Sequence, residues 1–330
     1  MPQRLGSFLL AASVLWSTGS SAAWALPGPT RVPGTADRVG RLHLGPQPEP
    51  VVAARAWIVV DLNTRRVIAA QAEHQRERPA SIIKLLTALI AVKALRPNAT
   101  VDAQVPSSTI EPLDIGMEPG QPWTLDGVLH ALLMDSSNDA GYALAHTVAG
   151  SLPAFAKWMQ RAAHLLRLPD DPVLHDPSGL DDGSSFEGGD YVSAYDMAMI
   201  GQDVLAVPLL RQIVGATTYR FTGPGDVPYT LHTIDRLVTY YPDAIGLKTG
   251  YTRQAGNTMV AAATRNGRTI LAVELDAPNL YGTAGQLLDL GFATPLSAES
   301  RNERLPRPDP STLGHLRRSM RGHYRQSSMT

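Results

Sequence analysis

Over residues 79–95 the chain carries Ile82, Ile83, Leu85, Leu86, Leu89, Ile90 and Val92, apolar positions that surround a helical axis instead of lining one stripe of it. A helix that is apolar all round belongs in a core. Pro79 suits its first turn and Pro97 ends it, because proline fits a helix start and cannot continue one. Before it, residues 56–61 and 66–71 read as two strands of a hairpin that leads through a polar loop into the helix. After Pro97 comes a loop-rich stretch, and Thr124 with Asp126 and Gly127 then opens a second apolar helical run over 128–134. Helical periodicity resumes over 141–149 and 152–168. Residues 179–189, rich in glycine and acidic side chains, read as an exposed loop, with Asp181, Asp182 and Asp190 as solvated turn residues. Ser193 and Asp196 form a variant capping box that starts a helix running to about residue 205. Strands return at 244–249, and the runs 257–265 and 268–275 flank Asn266 and Gly267, a strong hairpin signal. A helix over about 280–290 follows. Two strands, a helical block, three strands and a helix predict an α+β, two-lobed fold. One antiparallel sheet is assembled from both ends of the chain, with an all-helical lobe, about 97–235, inserted.

The ends of the chain have a different texture. Arg4 precedes an apolar run over 8–16, and small residues lead to Ala23, Trp24 and Ala25, so residues 1–25 read as a signal peptide cleaved before Leu26 and the protein as exported. Residues 26–50 hold six prolines and four glycines and read as an extended linker. From Thr294 onward seven arginines face Glu299, Glu303 and Asp309, which makes 293–330 a basic tail. Leu313, Leu316 and Met320 stand at helical spacing beside Arg317, Arg318 and Arg321. A disordered tail and a weak contact with anionic lipid or wall polymer are both readings of it.

Composition narrows the chemistry. With 330 residues and 44% hydrophobic content the chain can bury a sizeable core, and a net charge of −1 gives no reason to expect nucleic acid as a partner. The absence of cysteine removes disulfides, thiolate catalysis and cysteine metal sites. His130, His146, His164, His175 and His232 show no metal-ligand spacing, so no metal and no cofactor is expected.

Lys84 is the anomaly of the 79–95 run. It lies three residues after Ser81, a spacing that stacks the two side chains on one helix face. Burial among aliphatic groups disfavours the ammonium form and lowers the lysine pKa from about 10.4 toward the range of a general base. A base beside a serine hydroxyl makes a nucleophile, and a helix start favours the negative charge that develops there. A capping serine with an outward-reaching lysine would show the same spacing, so Ser81 and Lys84 alone do not decide.

Two more motifs stand downstream: Ser136, Ser137 and Asn138 between helical runs, and Lys248, Thr249 and Gly250 on a strand. In order and spacing the three motifs resemble those of the serine penicillin-recognising enzymes. The surrounding text at 79–89, 135–140, 178–182 and 246–252 resembles the low-molecular-mass D-alanyl-D-alanine carboxypeptidases in particular. The resemblance covers residues 51–292 and implies a β-lactamase/DD-peptidase-like catalytic domain with a five-stranded antiparallel sheet. It implies Ser81 as nucleophile, Lys84 as base, Ser136 as proton relay and Asn138 as a support for substrate and lysine. Lys248, Thr249, Gly250 and Tyr251 would bind substrate, with the N–H groups of Ser81 and Tyr251 as oxyanion hole. The implied partners are peptidoglycan stem peptides, with β-lactams as covalent inhibitors.

The chain departs from the family twice. His232 to Leu237 stand where an asparagine pair is usual, and Leu280 and Tyr281 stand where an arginine often binds the substrate carboxylate. Carboxylate recognition then falls to Thr249 and Lys248 with Arg253. A D,D-endopeptidase acting on cross-links and a catalytically weak penicillin sensor remain the alternatives to a carboxypeptidase. The deacylating Glu-x-x-Leu-Asn loop of a class A β-lactamase is missing.

Overall fold

In a computed structural model, residues 52–183, 185–297 and 302–308 are described; the expected signal peptide, the linker and the tail beyond 308 lie outside them. In chain order the main elements begin with strands β1 (Ala56–Asp61) and β2 (Arg66–Gln71), then helices α1 (Lys84–Ala94), α2 (Leu125–His130), α3 (Asn138–Ala149), α4 (Leu152–Leu166), α5 (Ala194–Leu205) and α6 (Pro208–Val214). They continue with strands β3 (Thr218–Thr222) and β4 (Pro228–His232), the short helix α7 (Leu237–Tyr240), strands β5 (Ala244–Thr252), β6 (Gly256–Arg265) and β7 (Arg268–Leu275), and helix α8 (Leu280–Ala293).

The sheet has the order β2-β1-β7-β6-β5, antiparallel throughout, so the two ends of the chain meet at the β1–β7 pair. Every residue of β1 is buried, which explains why it reads as an unbroken apolar run instead of an alternating one. Ile58 and Val60 pack into the core shared with the helical lobe, while Trp57 and Val59 pack into a second core with Ala284, Leu287 and Leu288 of α8. Both faces of the sheet are therefore covered. In the first core α1 is buried from Lys84 to Ala91, and α5 along its whole length.

Three expectations change. The inserted lobe is not all helical: β3 and β4 form a two-stranded hairpin within it. Its Tyr219 ring stacks on His130 at 3.5 Å, and Tyr229 meets Trp123 edge-on at 5.2 Å. Asp181 and Asp190 are buried, not solvated turn residues. Asp190 accepts the N–H groups of His175 and Asp176 at 2.6 and 3.0 Å. The tail is not disordered over its whole length. Residues 302–308 form a strap beyond β2, with Val67 N donating to Glu303 O at 3.0 Å, Leu305 N to Arg65 O at 2.8 Å, and Leu305 fully buried.

The 176–180 turn supports the start of α1. Asp176 Oδ1 accepts from Ser178 N at 2.8 Å, Ser178 Oγ at 2.6 Å and Gly179 N at 3.0 Å, while Oδ2 accepts from Phe186 N and the Tyr142 hydroxyl. Gly179, at φ +81, is pressed on the backbone of Ala80: a Cβ there would lie 2.0 Å from the Ala80 oxygen. Gly179→Ala is thus expected to cost more than about 2 kcal/mol, since both the backbone conformation and the clash oppose it. A melting temperature unchanged from wild type would refute this packing.

Candidate active site

The Pro79 start does not launch an α-helix directly. Residues Ala80–Ile83 make a single 3-10 turn, and α1 begins at Lys84. The 3-10 turn is tied to the sheet, because Thr258 Oγ1 of β6 donates to Pro79 O at 2.7 Å. Ser81 Oγ thereby lies at the head of α1, 2.8 Å from Lys84 Nζ.

Lys84 is wholly buried, and its Nζ also meets Asn138 Oδ1 at 2.7 Å and Ser136 Oγ at 3.4 Å. Burial is the main cause that pushes its pKa well below the usual lysine range, and the nearby Lys248 adds to it against weaker opposition from Asp176 and Asp139. As a free amine Nζ keeps two N–H groups, for Asn138 and Ser136, and a lone pair that can accept the Ser81 hydroxyl proton. The three partners match the valences of a neutral amine.

Ser136 and Asn138 reach Nζ because α2 does not end as a regular helix. Residues Ala131–Asp135 form a π turn, Ser136 takes a left-handed conformation at φ 63, and α3 starts at Asn138. The Asn138 amide donates to Glu111 O at 2.9 Å and Pro112 O at 3.1 Å, so its oxygen is left to face the lysine. Next to it, Asp139 accepts from Met117 N at 3.0 Å and Ile115 N at 3.2 Å, which fastens the 111–117 loop over the same side of the cleft.

The opposite wall is β5, the edge of the sheet. Lys248 is buried and donates to Thr249 O at 2.8 Å; burial pushes its pKa down to about 8 against the pull of Asp235 and Asp135. Gly250 lets β5 approach the nucleophile turn, since a Cβ there would lie 2.8 Å from Ser81 N and 2.5 Å from Thr258 Oγ1. Tyr251 is exposed, and Arg253 lies in the turn after β5. Of the eight expected site residues, Ser81, Ser136 and Asn138 gather on Lys84 Nζ, Gly250 brings β5 against Ser81 N, and Lys248, Thr249 and Tyr251 flank Gly250 on the same strand.

The two departures meet each other. Tyr281 at the start of α8 donates its hydroxyl to Ile234 O at 3.1 Å and accepts from Arg236 N at 3.3 Å. Asp235 caps Leu237 N at 2.9 Å, and burial lifts its pKa to about 6 beside Lys248. Asp139 and Thr258 escape sequence reading because each acts on residues distant along the chain, Asp139 on 115–117 and Thr258 on Pro79. Asp139 alone left a trace, as an acidic residue in the first turn of a helix.

Comparison with known proteins agrees with this geometry. The family model described as peptidase S11, D-alanyl-D-alanine carboxypeptidase, matches residues 45–279. The D-alanyl-D-alanine carboxypeptidase DacB2 of Mycobacterium tuberculosis is 35% identical over 255 residues, 76% of this chain and 86% of that protein. DacF of Bacillus subtilis is 28% identical, over 73% of this chain and 62% of that protein. Among solved structures, the D-alanyl-D-alanine carboxypeptidase from Mycobacterium tuberculosis H37Rv superposes with a TM-score of 0.71 at 33% identity, covering 77% of this chain and 96% of that one. Penicillin-binding protein 6B from Escherichia coli does so with a TM-score of 0.66 at 26% identity, covering 76% and 80%. The chain belongs to the peptidase S11 family of D-alanyl-D-alanine carboxypeptidases.

Proposed function

We propose that the chain removes the terminal D-alanine of peptidoglycan pentapeptides through an acyl-enzyme on Ser81, and that penicillins acylate the same oxygen. The observation that carries this reading is the fully buried Lys84 amine, 2.8 Å from Ser81 Oγ and 2.7 Å from Asn138 Oδ1. Lys84 takes the hydroxyl proton while Oγ bonds to the carbonyl carbon of the penultimate D-alanine. The resulting oxyanion is met by the N–H groups of Ser81 and Tyr251, each such donor being worth about 2.7 to 4 kcal/mol in the transition state. As the tetrahedral species collapses, the C–N bond breaks and the proton passes from Lys84 by way of Ser136 Oγ to the departing amine. Water, deprotonated in the same manner, then releases the shortened peptide and restores Ser81. An extended stem peptide pairs with the outer edge of β5, whose backbone groups have no strand partner on that side among the described residues. Substrate of this kind places the enzyme outside the cytoplasm, in keeping with the signal-peptide pattern of residues 1–25.

Tyr281 in place of an arginine favours a second reading. With its hydroxyl engaged by the 234–236 loop, the start of α8 offers no cation to a free carboxylate. A cross-linked peptide, which lacks that carboxylate, is then less strongly rejected. Incubation with a monomeric pentapeptide muropeptide and with a cross-linked dimer, followed by mass measurement of the products, separates the two. Loss of one D-alanine from the pentapeptide alone is expected. Cleavage of the dimer would make the chain an endopeptidase, and no product from either would contradict the enzymatic reading.

A further inference from the structure

Away from the Ser81 cleft, one imidazole stands among carboxyl groups where the 302–308 strap crosses the domain. His74 Nδ1 is 3.0 Å from both oxygens of Asp170, and its Nε2 is 3.2 Å from Oε1 of Glu303. The ring packs on Tyr195 with centroids 4.8 Å apart, and Tyr195 N donates to Glu73 O at 2.9 Å. Asp170 is held in turn by Ser193 Oγ at 2.6 Å. One ligand atom from each of Glu73, His74 and Glu303 lies within 4.8 Å of the other two.

We propose that Glu73, His74 and Glu303 are the ligands of a zinc ion that staples the strap to the catalytic domain. The carboxylate of Asp170 on Nδ1 fixes the ring and turns Nε2 toward Glu303, with a ligand atom of Glu73 inside 4.8 Å, the outer-shell arrangement that metal-ligating histidines use. A tetrahedral zinc ion with bonds of about 2.0–2.1 Å holds its ligand atoms roughly 3.4 Å apart, close to the observed Nε2–Oε1 separation. Imidazole with carboxylates suits zinc, whereas calcium and magnesium take oxygen ligands alone.

Charge supplies an independent reason. Asp170 and Glu303 both face His74, at 3.0 and 3.2 Å. These two carboxylates meet an imidazole that can carry one positive charge at most. A divalent cation balances the group. Three protein ligands leave one position for water, and Glu303 makes the site depend on the strap. No spacing motif announces it in the sequence, since Glu303 is far along the chain from His74.

The test uses the full chain, stripped with chelator, exposed to zinc chloride and dialysed, with metal content and melting temperature measured together. One retained zinc per chain and a higher melting temperature are expected. His74→Gln and Glu303→Gln should each weaken binding more than about tenfold, and Asp170→Asn by about ten- to a hundredfold. Penicillin labelling of Ser81 at the wild-type rate in each variant shows that the fold is kept. No retained zinc, or equal retention by His74→Gln and Glu303→Gln, would overturn the proposal. In the first case His74 is an imidazolium paired with Asp170 and Glu303.

Discussion

Replacing Lys84 by methionine is expected to slow acylation of Ser81 by benzylpenicillin about a thousandfold, the middle of the range for loss of a general base. The substitution keeps the volume of a wholly buried side chain and removes an amine whose charged form burial disfavours. The melting temperature should therefore stay within about 3 °C of wild type, a shift of roughly 1 kcal/mol in a domain of this size. Wild-type enzyme should also show a characteristic pH profile. Lys84 acts as a free amine, so acylation rises as pH passes its lowered pKa. With Lys248 in the proposed role of a cation that meets an anionic substrate, the rate is expected to fall again as its proton leaves, at about pH 8. Labelling rates of Lys84→Met within a few fold of wild type would exclude Lys84 as the base.

Gly250→Ala is expected to lower turnover by about a hundred- to a thousandfold, the effect of losing one oxyanion donor. The added methyl would meet Ser81 N at 2.8 Å, Thr258 Oγ1 at 2.5 Å and Ala80 Cβ at 3.1 Å. Relief requires β5 to back away from the 3-10 turn, which separates the N–H groups of Ser81 and Tyr251. The loss should fall on kcat more than on KM, because those donors meet charge that exists only in the transition state. Wild-type kcat in Gly250→Ala would show that the close approach has no catalytic purpose.

What the sequence made legible follows from local physics. The Ser81 and Lys84 spacing, the buried apolar run behind it, and the Asn266–Gly267 hairpin are each written within a few residues, and the structure places them as expected. The β3–β4 hairpin carries the alternation of a half-buried strand, with Tyr219, Phe221, Tyr229 and Leu231 turned inward, a signal of five residues per strand that is easily lost beside the longer helical runs. Their partners, His130 for Tyr219 and Phe221 for Tyr229, are what only the folded chain reveals. Asp181 and Asp190 misled through composition: acidic residues among glycines suggest a solvated turn, yet here they serve as acceptors for Thr252 and for the backbone of 175–176.

The left-handed Ser136 and the π turn before it were likewise out of reach. Residues 131–134 read as ordinary helix, and the distortion arises where α2 must hand over to α3 beside Lys84. The strap at 302–308 was masked by its proline and arginine content. A single leucine, Leu305, provides its anchor in the core, and backbone bonds to 65–67 provide the rest. Long-range pairing of this kind leaves no period to read.

The central claim is that Ser81, activated by Lys84, is the acylated residue. Peptide mapping by mass spectrometry after brief exposure to benzylpenicillin tests it most directly. The account predicts one adduct per chain, confined to the peptide that contains Ser81 and absent from Ser81→Ala. An adduct on Ser136, or an unlabelled wild-type chain that is otherwise folded, would contradict it.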